Sequence, residues 1–131
     1  MRNFSAVVFL FCTTSLALAV EAPKLPKEAK KLNTAEIEAI YNGKTLSGEY
    51  YKAKVLITWT STNLSSSGMV DGTWSGSDGS TGKTDLKYLI KNDEWCTTRK
   101  GKKEFCVDIY SDGTYGYEVN KGVVQTRFKL P

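Results

Sequence analysis

The chain contains no histidine, and this absence removes most of the common catalytic and metal-binding arrangements. Without an imidazole there is no Ser-His or Cys-His pair to activate a nucleophile. Carboxylates are plentiful, among them Asp71, Asp85 and Glu118, but their spacing does not single out an acid/base pair. The sequence therefore predicts a protein that is not an enzyme and that uses no cofactor.

Cysteine is scarce, with only Cys12, Cys96 and Cys106 in the whole chain. Cys12 lies in an N-terminal segment that we expect to be removed, so two cysteines remain. Two thiolates without histidine do not complete a tetrahedral zinc site. Two cysteines in an oxidising compartment most simply form one disulfide. We therefore predict a Cys96–Cys106 disulfide and no metal site.

Long apolar runs are absent except at the N-terminus. Arg2 precedes a mostly apolar stretch over residues 4–18, and Ala17 and Ala19 form an A-x-A cleavage site. The stretch is too short to span a bilayer comfortably. This pattern predicts a secretory signal peptide over residues 1–19 and no membrane span. The protein is expected to be secreted, and periplasmic if its source is a Gram-negative bacterium.

The remaining residues are enough for one small domain. Residues 20–31 contain Pro23, Pro26 and several charges, and are predicted to form a flexible leader. Residues 32–131 are predicted to form a single β domain. The net charge of +4 is too mild to indicate a nucleic-acid partner, which needs a concentrated basic face.

A short helix is predicted at the start of this domain. Asn33 can cap it, and Glu36 follows three residues later, as in a capping box. Ile37 and Tyr41 share one face, and Asn42-Gly43 provides the end of the helix. The apolar face must pack on a larger element.

From Lys44 onward, apolar residues recur at every second position, and turn signals such as Asn92-Asp93 and Lys121-Gly122 separate the segments. The pattern predicts a mainly β fold with about 7–8 short strands in an antiparallel meander, closed into a small barrel or folded into a sandwich. Residues 61–83 are rich in Ser and Gly, so we expect a single strand there, flanked by mobile loops.

The hairpin between the two cysteines has a predictable register. If its turn centres on Gly101, Cys96 lies opposite Cys106, while Trp95 and Phe105 share the other face and Trp95 points into the core. The aromatic residues Tyr115 and Tyr117 are also assigned to the interior. Interior aromatics either fill the core of a barrel or line a ligand cavity, and the sequence leaves both open.

The tip of this hairpin carries four cations within five positions: Arg99, Lys100, Lys102 and Lys103. Such a cluster is suited to contact an anionic partner, either a protein or a surface. Lysine-rich tips also occur simply because they keep hairpins soluble.

Several segments, in order, resemble an uncharacterised family of small secreted proteobacterial proteins defined by a domain of unknown function. The segments are LNTAEIEAIYNGKTLSG, GTWSG, WC and FCVDIYSDGTYGY. The resemblance covers most of residues 32–130. It implies a periplasmic location and a disulfide-bonded β fold, and it implies no functional site.

A weaker resemblance is to the periplasmic inhibitors of chicken-type lysozyme, which are small disulfide-bearing antiparallel barrels. The segment SGSDGSTGKTDLKY, residues 75–88, is similar to their Ser/Gly-rich inhibitory loop. This resemblance implies Ser77 and Lys83 as partner-binding residues. We therefore expect a non-catalytic binding or interaction module of unknown partner, for example a lysozyme inhibitor. The alternative is a carrier that holds a small apolar ligand inside a β-barrel.

Overall fold

The computed structural model describes residues 20–52, 54–64 and 68–131. The signal peptide predicted for residues 1–19 lies outside the described residues. Within them the chain forms one helix and nine strands. In chain order these are β1 (Lys30–Lys31), α1 (Thr34–Tyr41), β2 (Thr45–Lys52), β3 (Val55–Leu64), β4 (Met69–Gly76), β5 (Thr81–Lys91), β6 (Glu94–Thr98), β7 (Phe105–Ser111), β8 (Tyr115–Asn120) and β9 (Val123–Lys129).

Strands β2 to β9 form a closed barrel. Each pairs antiparallel with the next strand in the chain, and β9 pairs back onto β2. The short strand β1, formed by the last two residues of the predicted leader, pairs with β7 outside this ring. The predicted antiparallel meander with a short N-terminal helix is confirmed, and it closes as an eight-stranded barrel rather than a sandwich.

The two ends of the barrel differ. Because neighbouring strands are antiparallel, β2, β4, β6 and β8 all finish at one end, which we call the mouth. Helix α1 packs at the other end, the closed end, against β5 and β6. The polypeptide therefore encloses a space that has one open side.

Helix α1 is held at the closed end by hydrogen bonds at its first residues. The predicted capping box is confirmed: Asn33 Oδ1 accepts from the Glu36 amide, and the Glu36 carboxylate accepts from the Asn33 amide. In the turn between β5 and β6, the Asp93 carboxylate accepts from the amide and the hydroxyl of Thr34, at 2.7 and 2.9 Å. The helix start is thereby fixed to a hairpin of the barrel.

The apolar face of α1 enters the barrel. Ile37 and Tyr41 are 0% and 2% exposed. The Tyr41 ring stacks on Trp95, with ring centroids 3.9 Å apart, and Tyr88 stacks on Trp95 from β5 at 4.6 Å. Phe128 of β9 is tilted against Tyr41. This aromatic cluster is the main core, and it lies between the helix and the interior wall of the barrel.

Glycines opposite large aromatic residues let the rings lie against the barrel wall. The cross-strand pairs are Gly48 with Trp59, Gly82 with Trp74, and Gly116 with Phe128. A Cβ atom at any of these glycines would overlap the facing ring. Aromatic side chains that cover strand glycines in this way protect the exposed backbone and fix the register.

This packing corrects the prediction for residues 61–83. One strand, β4, does lie within this segment, but β3 continues to Leu64 and β5 already begins at Thr81. Mobile loops were expected because glycine usually marks a turn. Here Gly72 and Gly82 are strand residues beside closely packed backbone or a tryptophan ring, where any larger residue would collide.

The prediction that Tyr115 and Tyr117 face the interior is wrong. In β8 the inward positions are Gly116, beneath Phe128, and Glu118. Tyr117 and Val119 instead belong to a second cluster, against which Leu25 packs from the N-terminal segment. Other residues therefore pack on both faces of β8. For this reason, the alternation of apolar residues alone could not identify which face of β8 points into the barrel.

The Cys96–Cys106 disulfide is present, and the two residues lie directly opposite each other as predicted. Thr97 pairs with Phe105, which confirms the predicted register. Cys96 is buried, although it lies on the opposite face of β6 from Trp95. The disulfide therefore joins the two strands whose connecting turn stands at the mouth.

Reduction of the disulfide is expected to lower the free energy of unfolding by about 2–3 kcal/mol, because the cross-link closes a short loop in the unfolded chain. Urea unfolding of the oxidised and reduced protein measures this difference. The Cys96→Ala/Cys106→Ala double variant is the control, since its stability should not respond to reductant. Equal midpoints for the oxidised and the fully reduced protein would contradict the expectation.

Gly116→Ala is expected to destabilise the protein by about 1–3 kcal/mol, because the new methyl group overlaps the buried Phe128 ring. A double-mutant cycle with Phe128→Leu tests the cause. If the collision is the reason, Gly116→Ala costs less free energy in the Phe128→Leu background than in the wild-type background. Simple additivity of the two effects would rule the collision out.

Candidate functional site

The barrel interior contains a cavity of about 490 Å³ between the aromatic core and the mouth. Residues from β2 to β9 line it, together with Tyr41 of α1. All three tryptophans of the chain, Trp59, Trp74 and Trp95, contribute to its wall. The aromatic residues inside the barrel therefore do not fill it completely.

The wall of the cavity is mostly apolar. Ile57, Val70, Leu86 and Val107 complete the surface between the tryptophans. The hydroxyl-bearing residues Ser61, Thr84, Thr97 and Thr126 supply scattered polar groups. A pocket that combines apolar surface with polar groups is suited to bind a small molecule.

The floor of the cavity is built by Tyr41 and Glu118. The Tyr41 hydroxyl donates a hydrogen bond to Glu118 Oε1 at 3.2 Å, and the Thr126 hydroxyl also hydrogen-bonds this carboxylate. The helix therefore does more than close the barrel, because its last residue orients the one carboxylate among the residues that line the cavity.

The environment of Glu118 shifts its acidity. Burial raises the pKa of this carboxyl above its ordinary value of 4.5, while the hydrogen bonds from Thr126 and Tyr41 oppose the shift. The pKa of the Tyr41 hydroxyl is raised well above 10.0, first by burial and then by the neighbouring Glu118. Tyr41 is therefore a neutral hydrogen-bond donor at physiological pH.

The mouth is lined by cations. Lys52 at the end of β2 and Arg99, Lys102 and Lys103 of the β6–β7 turn all border the cavity, and all are exposed. The Lys102 amide donates to the Arg99 carbonyl at 2.9 Å, and Gly101 has a φ of 72°, which favours glycine. Three of the four predicted hairpin-tip cations thus lie beside the cavity. Lys100 is exposed at the tip and does not line it.

Ser77 and Lys83 do not join this site. Ser77 is tied to β3, because its amide donates to the Leu56 carbonyl and its hydroxyl accepts from the Leu56 amide. Lys83 is exposed on β5 and borders a separate, shallow depression beside Asp71 and Asp85. The six predicted partner-binding residues therefore lie in different parts of the barrel.

One grouping of potential metal ligands occurs in the described part of the chain: Glu94, Cys96 and Cys106. The two sulfur atoms are bonded to each other in the disulfide. In this oxidised state neither is a thiolate, which is the form that binds metals.

Glu118 is not recognisable as a site residue from the sequence pattern alone. In the segment YGYEVN, alternation assigned the tyrosines to the interior and the glutamate to the surface. The signal that could have reversed this assignment is Gly116, since a strand glycine often marks close approach of a ring or a backbone.

No protein-family model, curated protein or solved structure matches this chain. The two family resemblances therefore stay predictions. Among the described residues, no helix has the length and apolar character that crossing a membrane requires.

Glu118→Gln is expected to be more stable than the wild type at neutral pH and about equally stable below pH 4.5. The pKa of Glu118 is higher in the folded protein than in the unfolded chain, so folding favours the protonated carboxyl. The protonated Glu118 therefore contributes its full stability below the pKa of the unfolded chain. This contribution is lost as the pH rises through the pKa of the folded protein. Urea unfolding across this pH range measures the difference. Glu38→Gln, on the exposed side of α1, is the matched control. A difference in the free energy of unfolding between Glu118→Gln and the wild type that stays constant at all pH values would contradict a raised pKa at Glu118.

Proposed function

We propose that this protein is a non-catalytic binding protein that holds a small, largely apolar ligand inside its barrel. The observation that carries the proposal is the cavity of about 490 Å³, whose wall includes all three tryptophans. This volume falls within the range of about 300–1,000 Å³ that is usual for ligand pockets. Secretion, with the periplasm as the location in a Gram-negative host, belongs to the same proposal.

The construction of the wall supports the interpretation that the cavity is a binding site and not a packing defect. Eight-stranded barrels are just wide enough either to be filled by their own side chains or to hold one small ligand. Here Trp59 and Trp74 lie over glycines of neighbouring strands, so their rings follow the wall. The cavity is open at the mouth and large enough to hold water, so its apolar wall is exposed to solvent. A bound apolar molecule would remove this surface from water, which favours binding.

The arrangement also gives the ligand a single route. The closed end is blocked by α1, whose Ile37 and Tyr41 are almost fully buried. At the other end Phe105 is 47% exposed while also lining the cavity. The mouth is therefore the entrance that we propose.

The broader prediction of a surface interaction module, including an inhibitor of lysozyme, stays a prediction. Its residues Ser77 and Lys83 lie apart from the cavity and from the β6–β7 turn. No contact or charge around them favours a particular protein partner over the ligand-binding role.

Thr97→Phe is expected to weaken binding of an apolar ligand by at least about tenfold, because the phenyl ring would occupy the cavity. The uncharged probe is decanol, titrated into the protein while tryptophan emission is recorded. Since every tryptophan lines the cavity, binding should change this emission and should saturate.

Thr98→Phe is the matched control, since Thr98 neighbours Thr97 on β6 and does not line the cavity. It should bind decanol like the wild type. If Thr97→Phe does not fold, Thr84→Leu on β5 provides a second obstruction from another part of the wall. Unaltered binding in a folded cavity-filling variant, or no saturable change in the wild type, would refute an interior site.

A further inference from the structure

The cavity has opposite charges at its two ends. Its lining cations, Lys52, Arg99, Lys102 and Lys103, all stand at the mouth. The carboxylate among its lining residues, Glu118, is at the floor beside Tyr41. A ligand that carries a charge would therefore experience a strong preference for one orientation.

The cations of the β6–β7 turn are available to a ligand. Among the described residues, the side-chain ion pairs are Lys31–Asp108, Lys91–Glu104 and Arg127–Glu49. Glu104, the acidic residue of this turn, is thus held by Lys91 at 2.6 Å. Arg99, Lys102 and Lys103 have no carboxylate partner within the described chain.

The ammonium group of Lys52 is less available to a ligand than these three cations, because it has an acidic neighbour. Asp78 lies in the neighbouring turn after β4. Hydrogen bonds from Ser80 are the main cause that lowers the pKa of its carboxyl, and the charge of Lys52 adds a smaller contribution. The Asp78 carboxylate is itself hydrogen-bonded by Ser80. The positive character of the mouth therefore comes chiefly from the β6–β7 turn.

An apolar path leads from these cations to the floor. Phe105, at the start of β7, is partly exposed beside the turn, and Val107 follows it on the same inward face. From Arg99, the residue after β6 ends, the inward residues run through Thr97 to Trp95. Four extended residues correspond to a path of about 13 Å along the strand direction. A medium-length alkyl chain can lie along this path.

We propose that the ligand is an anionic amphiphile, a carboxylate or phosphate ester with an alkyl chain, which binds with its head at the mouth and its chain in the cavity. The guanidinium of Arg99 and the ammonium groups of Lys102 and Lys103 bind the head through charge-assisted hydrogen bonds. The reverse orientation is disfavoured, because it would bring the head next to the Glu118 carboxylate in a desolvated space. This ligand class presupposes the interior binding site proposed above.

The test uses decanoate, decanol and decyltrimethylammonium, which share one alkyl chain and differ in the charge of the head. Each is titrated into the protein with tryptophan emission as the readout. Decanoate is expected to bind at least about tenfold more tightly than decanol, and decyltrimethylammonium more weakly than either. Decyl phosphate is titrated in parallel, and the tighter of the two anions identifies the preferred head.

Two variants locate the head. The Arg99→Gln/Lys102→Gln/Lys103→Gln variant should lose the preference for decanoate while its affinity for decanol stays unchanged. The control, Lys44→Gln/Lys87→Gln/Lys129→Gln, removes the same amount of charge from exposed residues that do not line the cavity. It should retain the preference, apart from a small effect that added salt suppresses.

The outcomes separate the two proposals. If decanol and decanoate bind equally, or if the cationic probe binds best, the anionic ligand class is refuted and the interior site stands. A preference that survives the hairpin variant likewise refutes the assignment of the head to this turn. If none of the probes binds, the interior site itself is refuted.

Discussion

The contact of Tyr41 with the barrel interior is the interaction on which the rest of the structure depends. This one side chain ends α1, stacks on Trp95 and donates a hydrogen bond to Glu118, so it joins the helix, the core and the cavity floor. The cap at Asn33 and the bonds from Thr34 to Asp93 fix the helix at its other end. Because the helix is held at both ends, the barrel is closed on one side, and the interior becomes a pocket instead of a channel.

The width of that pocket depends on glycines within strands. Gly48, Gly82 and Gly116 each face a large ring, and the missing Cβ lets the ring lie close to the backbone. Without these glycines, Trp59, Trp74 and Phe128 would have to move toward the barrel axis and would reduce the open space. One of them, Gly82, also belongs to the segment 61–83 that looks like a loop in the sequence, and in the fold it lets the Trp74 ring lie along the cavity wall.

Local features of the sequence were sufficient for the helix, the hairpin register and the disulfide, because caps, turns and alternation act between near neighbours. They were insufficient for β8, where packing of Leu25 on the outer side buries Tyr117 and leaves Glu118 facing inward. The candidate site was predicted only in part: Arg99, Lys102 and Lys103 stand at the mouth, whereas Ser77 and Lys83 lie elsewhere. A charged tip can be recognised in a sequence, but its proximity to a cavity depends on how the strands close.

Glu118 is the residue that packing alone explains least. Burial of a carboxyl disfavours its charged form, and no cation among the cavity-lining residues lies at the floor to offset this. Residues that conflict with the stability of a fold are most often found at functional sites. Its position opposite the cations of the mouth gives the cavity a direction, because an anion is favoured at one end and disfavoured at the other. The residue that weakens the core is thus also the one that makes the orientation of a charged ligand unambiguous.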